Sequence, residues 1–194
     1  MNKLLFAMLV VAVLLAAGAG GYYLQKVTGQ QSGAADMADT SAETAPDHKT
    51  IIGSERPAFA LPDPQGQQQT ISQWDGDVLA INFWATWCKP CKEEIPEFVE
   101  LQQKYRDQDV TFIGVAIDGV SAVNDFVARY DMNYPVLVGG QAAMRAAKAY
   151  GNDIGALPYT AFVDRDGRIT HVHRGRLPKA EADAILARLT APAG

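Results

Sequence analysis

The chain has 194 residues, 48% of them apolar, with a net charge of −5 and a pI near 5.1. Once its N-terminal part is set aside it can bury one core of ordinary size, and the acidic balance excludes a nucleic-acid partner, which needs a concentrated basic face. Its two cysteines, Cys88 and Cys91, stand at redox spacing with none elsewhere, which describes a site and not a disulfide-stapled secreted fold.

Lys3 carries the only side-chain positive charge before an uncharged run from Leu4 to Leu24, which as a helix would span about 30 Å, the thickness of a bilayer core. Tyr22 and Tyr23 fall where an aromatic belt sits, and Lys3 predicts an N-in, C-out orientation. Residues 1–24 are therefore expected to form a single transmembrane signal anchor. The rival is a cleaved signal peptide with Ala17-Gly18-Ala19 at its cleavage site; both export the C-terminal domain. Residues 25–50, rich in Ala, Gly, Ser, Thr and Asp, read as a flexible tether, and His48 within it as a solvated side chain. Residues 51–194 form the expected folded domain.

That domain opens with an extended piece, Pro57 to Gly66, whose hairpin partner is Gln69 to Ser72, with Ser72 capping a short turn through Trp74. Val78 to Trp84 reads as a buried strand, Pro90 to Tyr105 as an amphipathic helix with Ile95, Phe98, Val99 and Leu101 on one stripe, and Asp109 to Ile117 as a second buried strand. Two strands joined by a helix imply a parallel, right-handed crossover. A helix from Ser121 to Asp131 with Ser121 as N-cap follows, then a strand from Tyr134 to Val138, and a helix from Gln141 to Tyr150 closed by Gly151. Tyr159 to Asp164 and Arg168 to His173 flank the turn Arg165-Asp166-Gly167 as a hairpin, and Pro178 to Leu189 forms the last helix.

The cysteines sit where the first buried strand feeds its helix. Pro90 suits the first turn, where its missing N–H would be unpaired anyway, and the positive end of the helix favours an anion there. Cys-x-x-Cys thiols at helix N-termini have pKa values of roughly 3.5 to 7.5, so the Cys88 thiolate is the expected attacking sulfur. Cys91, one turn further in, is expected under the helix start, where burial keeps it a thiol until it resolves the mixed disulfide. Lys89 adds a positive charge between them or is simply solvated.

The run Phe83-Trp84-Ala85-Thr86-Trp87-Cys88-Lys89-Pro90-Cys91, with Pro57 to Asp63, Pro96 and Gly155 to Thr160, resembles the TlpA/ResA family of membrane-anchored, extracytoplasmic thiol–disulfide oxidoreductases over residues 51 to 190. The resemblance implies an α/β thioredoxin-like fold: a mixed central sheet with helices on both faces, an N-terminal hairpin and a central αβ insertion. It implies a protein-disulfide reductase without an organic cofactor or metal, acting on client proteins with disulfides. A membrane thiol–disulfide electron donor would recharge it from the bacterial inner membrane, with the catalytic domain, a monomer, in the periplasm. It further implies a cis-proline loop at Leu157-Pro158 facing the cysteines, and a proton-transfer role for Glu94, three residues after Cys91 on the same helix face. A trans proline at a strand start, and a Glu that complements the helix dipole, are the plainer alternatives. Glu93 is expected to be solvated.

Trp87 and Pro90, with Leu157 and Pro158, are the expected client-binding residues; Trp84 belongs to the core. Asn82 occupies the place of a buried acid in thioredoxins, which leaves Glu94 as the carboxyl for the task. Tyr159 stands where the cytochrome c maturation branch carries an acid, which weakens that assignment. His171 and His173 alternate along a strand and could suggest a metal site, but an exposed strand face accounts for them more simply. The opposite direction, a dithiol oxidase, uses the same chemistry. A thiol peroxidase or a copper-binding chaperone are readings of another class, disfavoured by the absence of a peroxidatic cysteine pattern and by the cysteine spacing.

Overall fold

The computed structural model describes residues 51–191. The predicted anchor at 1–24, its rival cleavage site and the tether at 25–50 lie outside the described residues. No helix among the described residues is long and apolar enough to cross a membrane.

The first two strands, β1 (Ala60–Pro62) and β2 (Gln68–Thr70), pair antiparallel as the predicted hairpin. A single 3-10 turn at Ile71–Trp74 leads on, with Thr70 and not Ser72 at its N-cap, because the turn begins as soon as β2 ends. Then come β3 (Val78–Trp84), α1 (Lys89–Tyr105), β4 (Val110–Ala116), α2 (Val120–Arg129), β5 (Val136–Val138), α3 (Gly140–Ala149), β6 (Tyr159–Val163), β7 (Ile169–Arg174) and α4 (Lys179–Thr190). The five-stranded sheet runs β5-β4-β3-β6-β7; β3 lies parallel to β4 and antiparallel to β6, so the sheet is mixed as expected. Two helices and β5 stand between β4 and β6, and β5 forms an edge.

Every residue of β3 is buried, so its alternation serves two cores. Leu79, Ile81 and Phe83 pack with Ala143, Ala146, Ala147 and Tyr150 of α3 and its C-terminal end. Val78 and Ala80 pack with Phe98 and Leu101 of α1 and Ile185 and Leu186 of α4, while Trp84 meets Ile95 of α1 and Val123 and Phe126 of α2. Helices thus cover both faces. Each such Leu, Ile or Phe contributes about 1.5–3 kcal/mol by leaving water, so β3 is held more firmly than any surface ion pair could hold it.

Two expectations are corrected. Ser121 does not cap α2: the helix starts one residue earlier, Gly119 occupies the N-cap, and no side chain bonds to that end. The strand predicted over Tyr134 to Val138 begins only at Val136, since Pro135 has no N–H to give a ladder. Gly151 follows α3 with φ +88°, the left-handed conformation expected of a C′ glycine.

Candidate active site

Cys88 is the N-cap of α1, with extended backbone (φ −78°, ψ 109°), and Lys89 and Pro90 form the first helical positions. Its Sγ is joined to that of Cys91 in a disulfide, with 5.3 Å between the two Cα atoms, and accepts a hydrogen bond from the Cys91 N–H at 3.3 Å. The helix end therefore already directs a donor at the sulfur that would carry negative charge after reduction. Cys91 is completely buried and Cys88 is 5% exposed, whereas the adjacent Trp87 stands 68% exposed.

Two loops position this turn. The Asp118 carboxylate accepts hydrogen bonds from the backbone N–H and hydroxyl of Thr86 and, through its other oxygen, from the N–H of Gly119. Burial alone would raise that carboxyl, but these hydrogen bonds outweigh it and hold it below the usual range. On the other side the Leu157–Pro158 peptide is cis, and Leu157 packs against the cluster that holds both cysteines. The preceding loop is clamped by buried Asn152, whose amide donates to the carbonyl of Ala156 at 2.8 Å and accepts from its N–H at 3.0 Å.

Glu94 is completely buried. Its Oε1 accepts from the Asn82 side chain at 2.8 Å, and its Oε2 from the N–H of Leu177 at 2.9 Å. Burial is the dominant influence on its carboxyl; the hydrogen bonds from Leu177 and Asn82 and the charge of Arg176 offset only part of it, and Glu97 adds to it, so the pKa is raised to about 7. The plainer role of complementing the helix dipole does not fit, because the first turn of α1 holds no acidic residue and Glu94 lies beyond it; Glu93 is exposed. The segment Gly175–Pro178 straps this acid to the cis-proline: the Gly175 N–H donates to the carbonyl of Pro158 at 2.8 Å, two residues before Leu177 meets Glu94.

Of the residues singled out from the sequence, Cys88, Cys91 and Leu157 share one apolar cluster, Pro90 lies in the first turn of α1, and Trp87 projects outward. Trp84 is fully buried against Phe126. Tyr159 is a core residue whose hydroxyl donates to the carbonyl of Tyr150 at 2.7 Å. His173 is occupied by the Arg176 carbonyl and Glu181, and no group of three His, Cys, Asp or Glu among the described residues is placed to hold a metal ion. Sequence reasoning missed Asp118, Asn152, Leu177 and Thr160, whose buried hydroxyl accepts from the Asn82 side chain at 3.0 Å. Asp and Asn beside glycines in loops carry a faint signal, since such side chains bond nearby backbone; a backbone N–H such as that of Leu177 carries none.

A disulfide poised between a buried acid and an exposed tryptophan, at the end of a strand–helix turn, is a redox site, and its setting is matched elsewhere. Residues 51–186 match the Redoxin family. The chain belongs to that family. It is 30% identical over 192 residues to the thiol-disulfide oxidoreductase ResA of Bacillus cereus, covering 97% of this chain and 98% of that protein. To the ResA of Geobacillus kaustophilus it is 31% identical over 136 residues, covering 70% and 76%. A solved thiol:disulfide interchange protein of the thioredoxin family from Chlorobium tepidum superposes with a TM-score of 0.65 at 27% identity, covering 72% of this chain and 97% of that one. The redoxin thus has a thioredoxin-like α/β fold and is a thiol–disulfide oxidoreductase of the ResA kind, with Cys88 and Cys91 as its Cys-x-x-Cys pair.

Proposed function

We propose that this redoxin reduces disulfides in client proteins on the outer side of the bacterial inner membrane, held there by residues 1–24 as a single-pass anchor and by residues 25–50 as a tether. The lone Lys3 before an uncharged bilayer-length run supports that topology. In the reduced protein the Cys88 thiolate attacks one sulfur of a client disulfide; a Cys88–client disulfide forms and the client's other sulfur leaves as thiolate. Glu94 takes the proton of the Cys91 thiol, and the resulting thiolate attacks Cys88 Sγ. The Cys88–Cys91 bond forms, the client leaves as its second thiolate, and two electrons have passed to the client. No organic cofactor or metal takes part. Trp87, Pro90, Leu157 and Pro158 form the rim that receives the client, and a membrane thiol–disulfide donor returns the domain, a monomer, to the dithiol.

The observation that carries this reading is the wholly buried Glu94 carboxyl, one helical turn beyond the wholly buried Cys91, with its pKa near the working pH of a general base. The reduction potential of the Cys88–Cys91 couple in glutathione or dithiothreitol buffers tests the direction of flow. A value near roughly −270 mV, as in thioredoxin, is expected of a reductase; one near about −120 mV would make the protein a dithiol oxidant.

A further inference from the structure

We propose that Asn82 is a positioning residue whose side-chain amide turns over with the proton on Glu94, presenting its NH2 to the carboxylate and its carbonyl oxygen to the carboxylic acid. The inference rests on the reading of Glu94 as a proton carrier and is carried by four hydrogen-bonding groups. Glu94 Oε2 is held by the N–H of Leu177, a backbone donor that cannot become an acceptor. A proton taken up by Glu94 therefore resides on Oε1, the oxygen that faces Asn82. With Glu94 ionised, the Asn82 Nδ2 donates to Oε1 at 2.8 Å and to Thr160 Oγ1 at 3.0 Å. With Glu94 protonated, the same Nδ2 would oppose an O–H donor across that distance in a completely buried site.

Turning the amide removes the conflict. Its Oδ1 then accepts from the Glu94 O–H and from the Thr160 hydroxyl, which can rotate from acceptor to donor. Nothing holds the other end of the amide: Asn82 Oδ1 is buried without a hydrogen-bond partner. The neighbouring wall is also free to receive it. On the adjacent strand the residue in register with Asn82 is Gly114, which has no side chain, and beside it stand Trp84 Nε1 and the Tyr134 ring; the Tyr134 hydroxyl is buried and unpartnered and can accept, whereas the Trp84 N–H, also unpartnered, can only donate. A Cβ on Gly114 would lie 3.0 Å from Trp84 Nε1 and 3.4 Å from the Tyr134 ring, so the glycine keeps this region open. The charged and ionisable groups facing Glu94 are Glu97 on its own helix, Arg176 on the strap and Tyr134 ahead of β5; Cys91, one turn earlier on that helix, is held in the disulfide. Arg176 is engaged by Glu97 and cannot replace the amide. At position 82 an ionised aspartate would suit only the protonated acid and a leucine neither state; an amide satisfies both, and moves no charge in doing so.

The test is a pH titration of the isotope-labelled full chain by NMR, following the Asn82 NH2 signals and the Glu94 carboxyl carbon together, with Glu94→Gln alongside. The expected result is an upfield shift of the Asn82 NH2 protons on acidification, with the same midpoint as the Glu94 carboxyl. In Glu94→Gln the Leu177 N–H takes the Gln oxygen, the Gln NH2 faces Asn82, and the Asn82 signals stay at their acid positions at every pH. Asn82 signals that do not move while Glu94 titrates, or that stay at their alkaline positions in Glu94→Gln, overturn the proposal. The rate of mixed-disulfide resolution in Glu94→Gln is read separately: an unchanged rate removes Glu94 from proton transfer and leaves the amide result standing on its own.

Discussion

The two ends of α1 treat a carboxyl in opposite ways. In its first turns Glu94 is shut away from water with two donors, and burial raises its pKa to about 7. Against its last turn the Asp183 side chain takes hydrogen bonds from Lys104 and the hydroxyl of Tyr105 in the open, and these hold its carboxyl below the ordinary range. A charge at the solvent end is cheap to keep and does little, while at the disulfide end the cost of keeping it holds the proton on the carboxyl up to near neutrality. The pH dependences should therefore oppose each other. A carboxyl with a raised folded pKa lowers stability as pH climbs from its unfolded to its folded value; one with a depressed pKa loses its contribution as pH falls through that depressed value.

Replacing the sulfurs separates the chemistry from this electrostatic frame and has the largest effect. Cys88→Ser should lower client-disulfide reduction to the uncatalysed background, and Cys91→Ser should leave Cys88 joined to the client, seen as a mixed-disulfide mass on non-reducing gels. Were the two variants to behave alike, the division between an attacking and a resolving cysteine would be lost.

Glu94→Gln is the direct attack on the buried end. Its carboxyl has a folded pKa of about 7 against an ordinary 4.5, so ionisation costs the oxidised fold roughly 3 kcal/mol once the pH is above both values. The variant should therefore be more stable than the parent by up to that amount at alkaline pH, should match it near pH 4.5, and should lack the decline between these limits. Denaturant midpoints across that range check the sign, and a variant less stable at alkaline pH would contradict it. Resolution of the mixed disulfide should slow and lose its pH dependence near neutrality.

Asn152→Ala probes a buried polar group at the same end that carries no charge. It removes both side-chain bonds to the backbone of Ala156, which should cost about 1–3 kcal/mol and loosen the loop ahead of Leu157 and Pro158. KM for a protein client should rise more than kcat falls; the reverse would place the loop in the chemical step and not in client seating.

How much of the fold and site was legible in the sequence depended on whether a residue's task was local. Cys88, Pro90 and Cys91 announce a strand–helix turn because capping and first-turn rules act within four residues, and β3 announces its burial by its unbroken apolar run. Gly151 marked the end of α3 for the same reason. The setting of Glu94 was not readable: its partners Asn82 and Leu177 lie 12 residues before it and 83 after it, and one of them is a backbone N–H. Asp118, 32 residues from Thr86, is joined to the active-site turn only by the neighbouring loop ends of β3 and β4. Ser121 misled because a serine near a helix start is a good cap by type, yet the backbone turned into α2 at Val120.

The smallest effect belongs to the exposed end. Asp183→Asn removes the charge that Lys104 answers but leaves an oxygen to accept from Tyr105, so the loss should be under about 1 kcal/mol, the range of solvent-exposed pairs. It should shrink further in added salt, because screening acts on the ion pair and not on the neutral hydrogen bond. Its pH profile should also run against that of Glu94→Gln: the parent and the Asn variant converge as acid protonates Asp183, whereas the parent and the Gln variant diverge as pH climbs from 4.5 to about 7, where the unfolded chain ionises Glu94 and the fold does not. Measured in one denaturant series, those crossed profiles separate a carboxyl kept for its charge from one kept for its proton.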